Sequence, residues 1–298
     1  MTILTDGMRR EKSGTIGFLW MMLSTVLFVA VDAVIKLAGK SIHPFEVGFF
    51  RNLFGFLFLL PALCRTRFTA LKTNDFYGHL LRGVLGVAAT LTFFYGLTIV
   101  PLVKVISLSF AVPIFAFVLA IIFLGEKPSV RQCFWTLVGF AGALVIVRPG
   151  YIPLSIGTLI ILLSAFLNAC IYIVVKKLSR TDSSLSIGAW MCLSVGTLTF
   201  PFAWYYWSWP TPQQYLLLIL VGVLATSAQY ALSEAFRNAD TSAMMPAEFL
   251  KLIWAALIGF FVFRESADVF VCFGAAIVIT ANVMSGLAKR RHDRSSQK

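Results

Sequence analysis

Charge is scarce in this chain. Only 13% of its 298 residues are Asp, Glu, Lys or Arg, while 59% are hydrophobic and 14% aromatic. A soluble fold of this length needs far more polar surface, so soluble enzymes and soluble binding domains are excluded. Histidine is scarcer still. His43, His79 and His292 are too scattered for a metal site or a triad, and HExxH, GxSxG and Walker sequences are missing. The five cysteines have no CxxC spacing and no partner in an outer loop, which argues against a disulfide or a metal centre. No cofactor is called for. Linkers, low-complexity tracts and long polar loops are lacking too, so the chain reads as one membrane domain with no signalling module. A receptor would carry such a module, and a membrane-embedded enzyme would show convergent nucleophile, base or metal-ligand residues. Neither filter sequences nor acidic rings point to a channel.

What the chain has in abundance is apolar runs. From Arg82 to Glu126 two of them follow back to back across a turn at Val100 and Pro101, and about 20 apolar residues cross the roughly 30 Å hydrocarbon core. The pattern returns later. Gly83-Val84-Leu85 recurs as Gly222-Val223-Leu224 and Glu126 as Glu265, at one constant spacing. A spacing one residue longer relates Gly17, Leu23, Ser24, Lys36 and Pro61 to Gly157, Leu163, Ser164, Lys176 and Pro201. Ten spans result, five per half. An odd number per half makes the second copy enter from the opposite side, so the expectation is an all-α polytopic protein built as a 5+5 inverted-topology repeat. Residues 1–14 form a polar N-terminal segment, 15–148 the first repeat, 155–287 the second, and 288–298 a basic tail that frays. The first span resembles a signal peptide superficially, but it has its own mate in the second half.

The net charge of +12 comes from short basic clusters between spans, where lipid headgroups and insertion rules account for them and no nucleic acid is implied. Most of the 25 Lys and Arg fall on one side: Arg9, Arg10 and Lys12, then Arg65 to Arg82, Lys127 and Arg131, Lys176 to Arg180, Arg237, and Lys289 onward. That side reads as cytoplasmic, which puts both termini inside a bacterial inner membrane. Trp204-Tyr205-Tyr206-Trp207-Ser208-Trp209 lies on the other side, at headgroup level. Lipids and a small-molecule substrate are the partners implied; a homodimer is compatible with the chain.

Charges within spans are costly, so each is a site candidate. Counting from span midpoints, Lys251 lies about 2 Å from the midplane, Arg51 about 5 Å, Glu248 about 7 Å and Asp32 roughly 9 Å. Glu248 and Lys251, spaced i, i+3, either neutralise one another or face a cavity. Arg51 cannot shed its charge, so its anionic partner is either Asp32 or a substrate carboxylate or phosphate. Asp32 also lies four residues before Lys36, and the two could simply end the first span as a pair. Lys104 sits near an interface, where it can snorkel. None of the deep charges has a charged mate in the other half: Asp32 corresponds to Tyr172, Arg51 to Met191, Glu248 to Ser109 and Lys251 to Val112. Residues of the scaffold repeat, whereas residues fitted to an asymmetric ligand need not. Tyr95 and Trp254 are rings that either pack in the core or line a cavity, for stacking or cation–π contact. Ser24, Ser109, Ser164, Asn168, Gln229 and Tyr230 read mostly as interhelical glue. Pro113 and Pro246 loosen backbone bonding where carriers place hinges and sites.

The sequences HPFEVGFFRNL, YGLTIVPL and SFAVPIFAFVLAIIFLGE resemble the EamA-type members of the drug/metabolite transporter superfamily. Within it, HPFEVGFFRNL, LRGVL, YGLTIVPL and ADTSAMMPAEFLKL are similar to bacterial S-adenosylmethionine uptake transporters, while related carriers move amino acids, riboflavin or other metabolites. The resemblance implies a secondary carrier, not an enzyme, working by alternating access around a central cavity. On that reading Arg51 meets a substrate carboxylate, Glu248 or Asp32 meets cationic groups, Lys251 shares the site, and Trp254 or Tyr95 stacks on an adenine; proton coupling through Glu248 or Asp32 is a separate expectation.

Overall fold

A computed structural model of the chain describes residues 2–38, 42–73, 75–99, 108–147, 155–264 and 269–295. The Val100–Pro101 turn, Lys104 and Glu265 lie outside them, as does the Lys36 side chain. The described residues are helical, without a strand: α1 (Thr2–Ala38), α2 (Pro44–Arg65), a short 3₁₀ turn (Thr69–Leu71), α3 (Phe76–Ile99), α4 (Ala111–Leu124), α5 (Val130–Val147), α6 (Ile156–Leu178), α7 (Ser184–Tyr205), α8 (Pro212–Asn238), α9 (Thr241–Glu248), α10 (Leu250–Phe263) and α11 (Val269–Ser295). Six candidate spans among the described residues have the length and composition to cross a membrane, and three shorter apolar helices accompany them. Large apolar side chains cover the outside, among them Ile122, Phe123, Phe261 and Phe273.

Two expectations change. The tail does not fray where expected, because α11 continues helical to Ser295. The span read as one helix over 242–263 is broken, with Phe249 standing between α9 and α10. There the Phe249 amide bonds to the Pro246 carbonyl (3.2 Å) and the Leu252 amide to the Phe249 carbonyl (3.1 Å), both tighter i, i−3 bonds. Pro246 supplies no amide of its own, and its ring disfavours regular helix around it. The first half breaks at the matching place: Phe110, the repeat mate of Phe249, ends a helical turn just before α4, and Pro113 follows.

The main packing partners come from opposite halves. Helix α1 packs on α8 and α3 on α6; α1 also packs on α9 and α10 as α4 packs on α6; α2 faces its mate α7, and α5 faces α11. This pairing is unchanged when the halves are exchanged. Close approach explains the repeated glycines. A Cβ on Gly222 would stand 2.7 Å from the Phe54 Cβ and 3.1 Å from the Arg51 carbonyl oxygen, and one on Gly83 would stand 2.7 Å from the Ser194 Cβ. Small residues let helices cross this tightly in lipid.

Repeated polar residues fasten helix ends. Glu126 accepts from the Thr241 and Ser242 amides (2.8 and 2.7 Å), capping the positive end of α9. Lys176 donates to the carbonyls of Phe236 (2.6 Å) and Ala239 (2.5 Å) where α8 ends. Glu46 of the HPFE sequence is fully buried. It forms a capping box with His43 and accepts from the Ser208 amide (2.6 Å) and hydroxyl (2.8 Å). At the end carrying the basic clusters, Asp182 takes His79 Nε2 at 2.6 Å and the Thr73 hydroxyl at 2.5 Å, tying α3 to the α6–α7 turn.

Candidate substrate cavity

Where the halves meet they enclose a cavity of about 1020 Å³. Its walls come from α1 to α4 and α6 to α10, while α5 and α11 stay outside. Among the described residues, five charged side chains line it: Asp32, Arg51, Arg82, Glu248 and Lys251. The α9–α10 break sets two of them in the wall, Glu248 as the last residue of α9 and Lys251 in the first turn of α10. Discontinuous helices of this kind place backbone ends and charges at mid-membrane sites.

Lys251 Nζ forms an ion pair with Glu248 Oε2 and lies 4.8 Å from the centre of the Phe28 ring. Tyr172 stands beside the pair. Glu248 is 4% exposed, and its second oxygen Oε1 has no hydrogen-bond partner. Asp32 opens onto the cavity within electrostatic reach of both Lys251 and Arg51. The Nε atoms of Arg51 and Arg82 are buried without partners, as is Gln229 Nε2. Arg82 donates through Nη1 to the Ile187 carbonyl at 3.1 Å. Both guanidiniums belong to the lining of the same cavity. Among the described residues, then, the lining offers unused N–H donors at three side chains and one unused carboxylate oxygen.

A two-repeat bundle around a polar cavity has a match by sequence. The model of the EamA-like transporter family fits residues 15–148 and again 155–287. The chain belongs to that family. As an EamA-like protein it is a multi-pass, all-helical membrane protein of the transport class. It is 32% identical over 272 residues to an S-adenosylmethionine uptake transporter of Rickettsia bellii, covering 91% of this chain and 94% of that one. A riboflavin transporter of Rhizobium johnstonii is 29% identical over 94% of this chain and 93% of its own. A pseudopaline exporter of Pseudomonas aeruginosa is 28% identical over 92% and 97%. A protein of known crystal structure shares the fold, with a TM-score of 0.79 at 16% identity over 92% of this chain and 98% of that one.

The EamA-like fold brings Asp32, Arg51, Glu248 and Lys251 to one cavity. It does not bring Tyr95 or Trp254 there. Tyr95 is 59% exposed and off the lining, and Trp254 spends its indole N–H on the Thr25 hydroxyl at 3.1 Å. Their span depth suits a cavity, but their helix faces do not. The rings that line it are Phe28, Phe93, Phe110 and Tyr172. Arg82, counted with the basic clusters at the span edge, is 2% exposed and part of the wall. A signal for it existed: its repeat mate is Val221, so it too is an unduplicated charge. The uncharged mates Tyr172, Met191, Val221, Ser109 and Val112 all line the same cavity. The cavity is thus symmetric in position and asymmetric in chemistry.

Proposed function

We propose that the protein is a secondary transporter of ten spans in 5+5 inverted topology, with both termini cytoplasmic. It carries a small zwitterionic metabolite, S-adenosylmethionine, across the bacterial inner membrane by alternating access. The observation that carries this reading is the cavity itself: both halves wall it, and it sets unpartnered cationic donors and an open carboxylate before one ligand. S-adenosylmethionine offers a carboxylate, an ammonium, a sulfonium and an adenine. Arg51 suits the carboxylate, Asp32 the cationic centres, and Phe28, Phe93, Phe110 or Tyr172 the adenine face. The similarity to S-adenosylmethionine uptake transporters supports the same substrate, and the packing of opposite halves supports rocking of one half against the other.

Uptake of labelled S-adenosylmethionine into proteoliposomes, competed with methionine and riboflavin, tests the substrate. Saturable uptake blocked by S-adenosylmethionine analogues and not by riboflavin is expected. Riboflavin blocking equally, or no uptake and no counterflow, would remove this substrate and leave the carrier fold. Proton coupling through Asp32 or Glu248 is part of the reading. It predicts slower net uptake when a pH gradient is collapsed, and indifference to the gradient would refute it.

A further inference from the structure

The charge balance of the cavity leaves one end of it incomplete. Glu248 is engaged by Lys251, so among the described lining residues Asp32 is the one carboxylate left for two guanidiniums, and it lies within reach of Lys251 as well. An arginine cannot discharge itself by losing a proton. Two acids therefore face three bases inside a low-dielectric wall, where an uncompensated charge is costly. The geometry is also prepared for an acceptor. Arg82 is held by the Ile187 carbonyl, and the Nε edges of Arg51 and Arg82 have no acceptor among the described residues. Arg51 keeps a buried, unpartnered Nε and has Asp32 within electrostatic reach.

We infer that Arg51 and Arg82 form an anion subsite, completed by the carboxylate of the transported molecule. This deepens the proposed function and rests on it. The substrate class is then an amino-acid-type metabolite whose carboxylate is held at the arginines while a cationic centre faces Asp32. Arg82 acts as a specificity-determining residue. A neutral ring system with no acidic group leaves the subsite unsatisfied and binds poorly.

The test compares S-adenosylmethionine with its decarboxylated analogue, by calorimetric titration of the purified full-length chain. Removing a charge-assisted hydrogen bond from a desolvated site weakens binding about tenfold or more, so the analogue is expected to bind at least that much worse. In Arg82→Gln the preference collapses: S-adenosylmethionine falls to the level of the analogue, whose own affinity changes little. Arg82→Lys, which keeps the charge and loses the fork, falls between. A merely structural role for Arg82 would weaken both ligands alike and leave their ratio intact, which would overturn the assignment. Equal binding of both ligands to the unsubstituted protein overturns it without any variant. So does equal binding that depends on chloride, since an inorganic anion then fills the subsite. Should S-adenosylmethionine not bind, the substrate reading falls, and methionine against 3-(methylthio)propylamine decides the subsite. No preference for the carboxylate in that pair ends the inference.

Discussion

Two carboxylates, one half-buried and one buried, meet opposite fates in this protein. Glu126 ends in backbone amides, and Glu248 ends in the Lys251 ammonium with one oxygen to spare. Replacing Glu126 with Gln removes charge-assisted bonds from the start of α9 and is expected to cost about 1–2 kcal/mol. Thermal unfolding of the detergent-purified protein measures it, and an unchanged midpoint would contradict the capping role. Lys251→Met is expected to be worse, about 3 kcal/mol, because it strands a carboxylate in the wall. Adding Glu248→Gln to it should restore much of that loss. A double variant no more stable than the single one would mean that the pair is not the source of the cost. The deep charges were legible in the sequence because transfer from water to hydrocarbon depends on residue type whatever the fold. Tyr95 and Trp254 were not, since depth can be counted along a helix whereas the face it presents depends on neighbours far away in the chain.

Among the elements, α9 and α10 are the informative pair. Their break at Phe249 matches the turn at Phe110, which stands at the corresponding repeat position. Pro246→Ala returns an amide donor and regular helix geometry to this segment. It is expected to raise the unfolding midpoint and to slow counterflow while leaving substrate affinity within a few-fold. Unchanged turnover would argue that the break positions Glu248 and Lys251 without acting as a hinge. The crossing of α8 over α2 is tested by Gly222→Val, whose Cβ would collide with Phe54 and the backbone at Arg51. Overpacking of this kind costs about 1–3 kcal/mol and shows as reduced folded yield. The prolines marked these segments in advance. The structure places the break at Phe249, where α9 and α10 pack on α1, α4, α5 and α11.

At the scale of the molecule, the halves are interlocked, with the main packing partners crossing between them. Expressed alone, the fragment 1–150 is therefore expected to neither fold nor bind, whereas co-expression with 151–298 should yield a copurifying complex. A lone first half that is stable and monodisperse would contradict the interlock. The sequence by itself determined that the chain lives in a membrane, that its second half repeats the first, and that a few unduplicated charges mark its interior. Those are consequences of residue chemistry and period, which need no partner. Only the tertiary structure decided that Arg82 belongs to the cavity wall, that Glu126 caps α9, that Trp254 is spent on Thr25, and that Lys251 holds Glu248 in the same wall. Most of these join residues more than a hundred positions apart, and which faces meet is set by the packing of one half against the other.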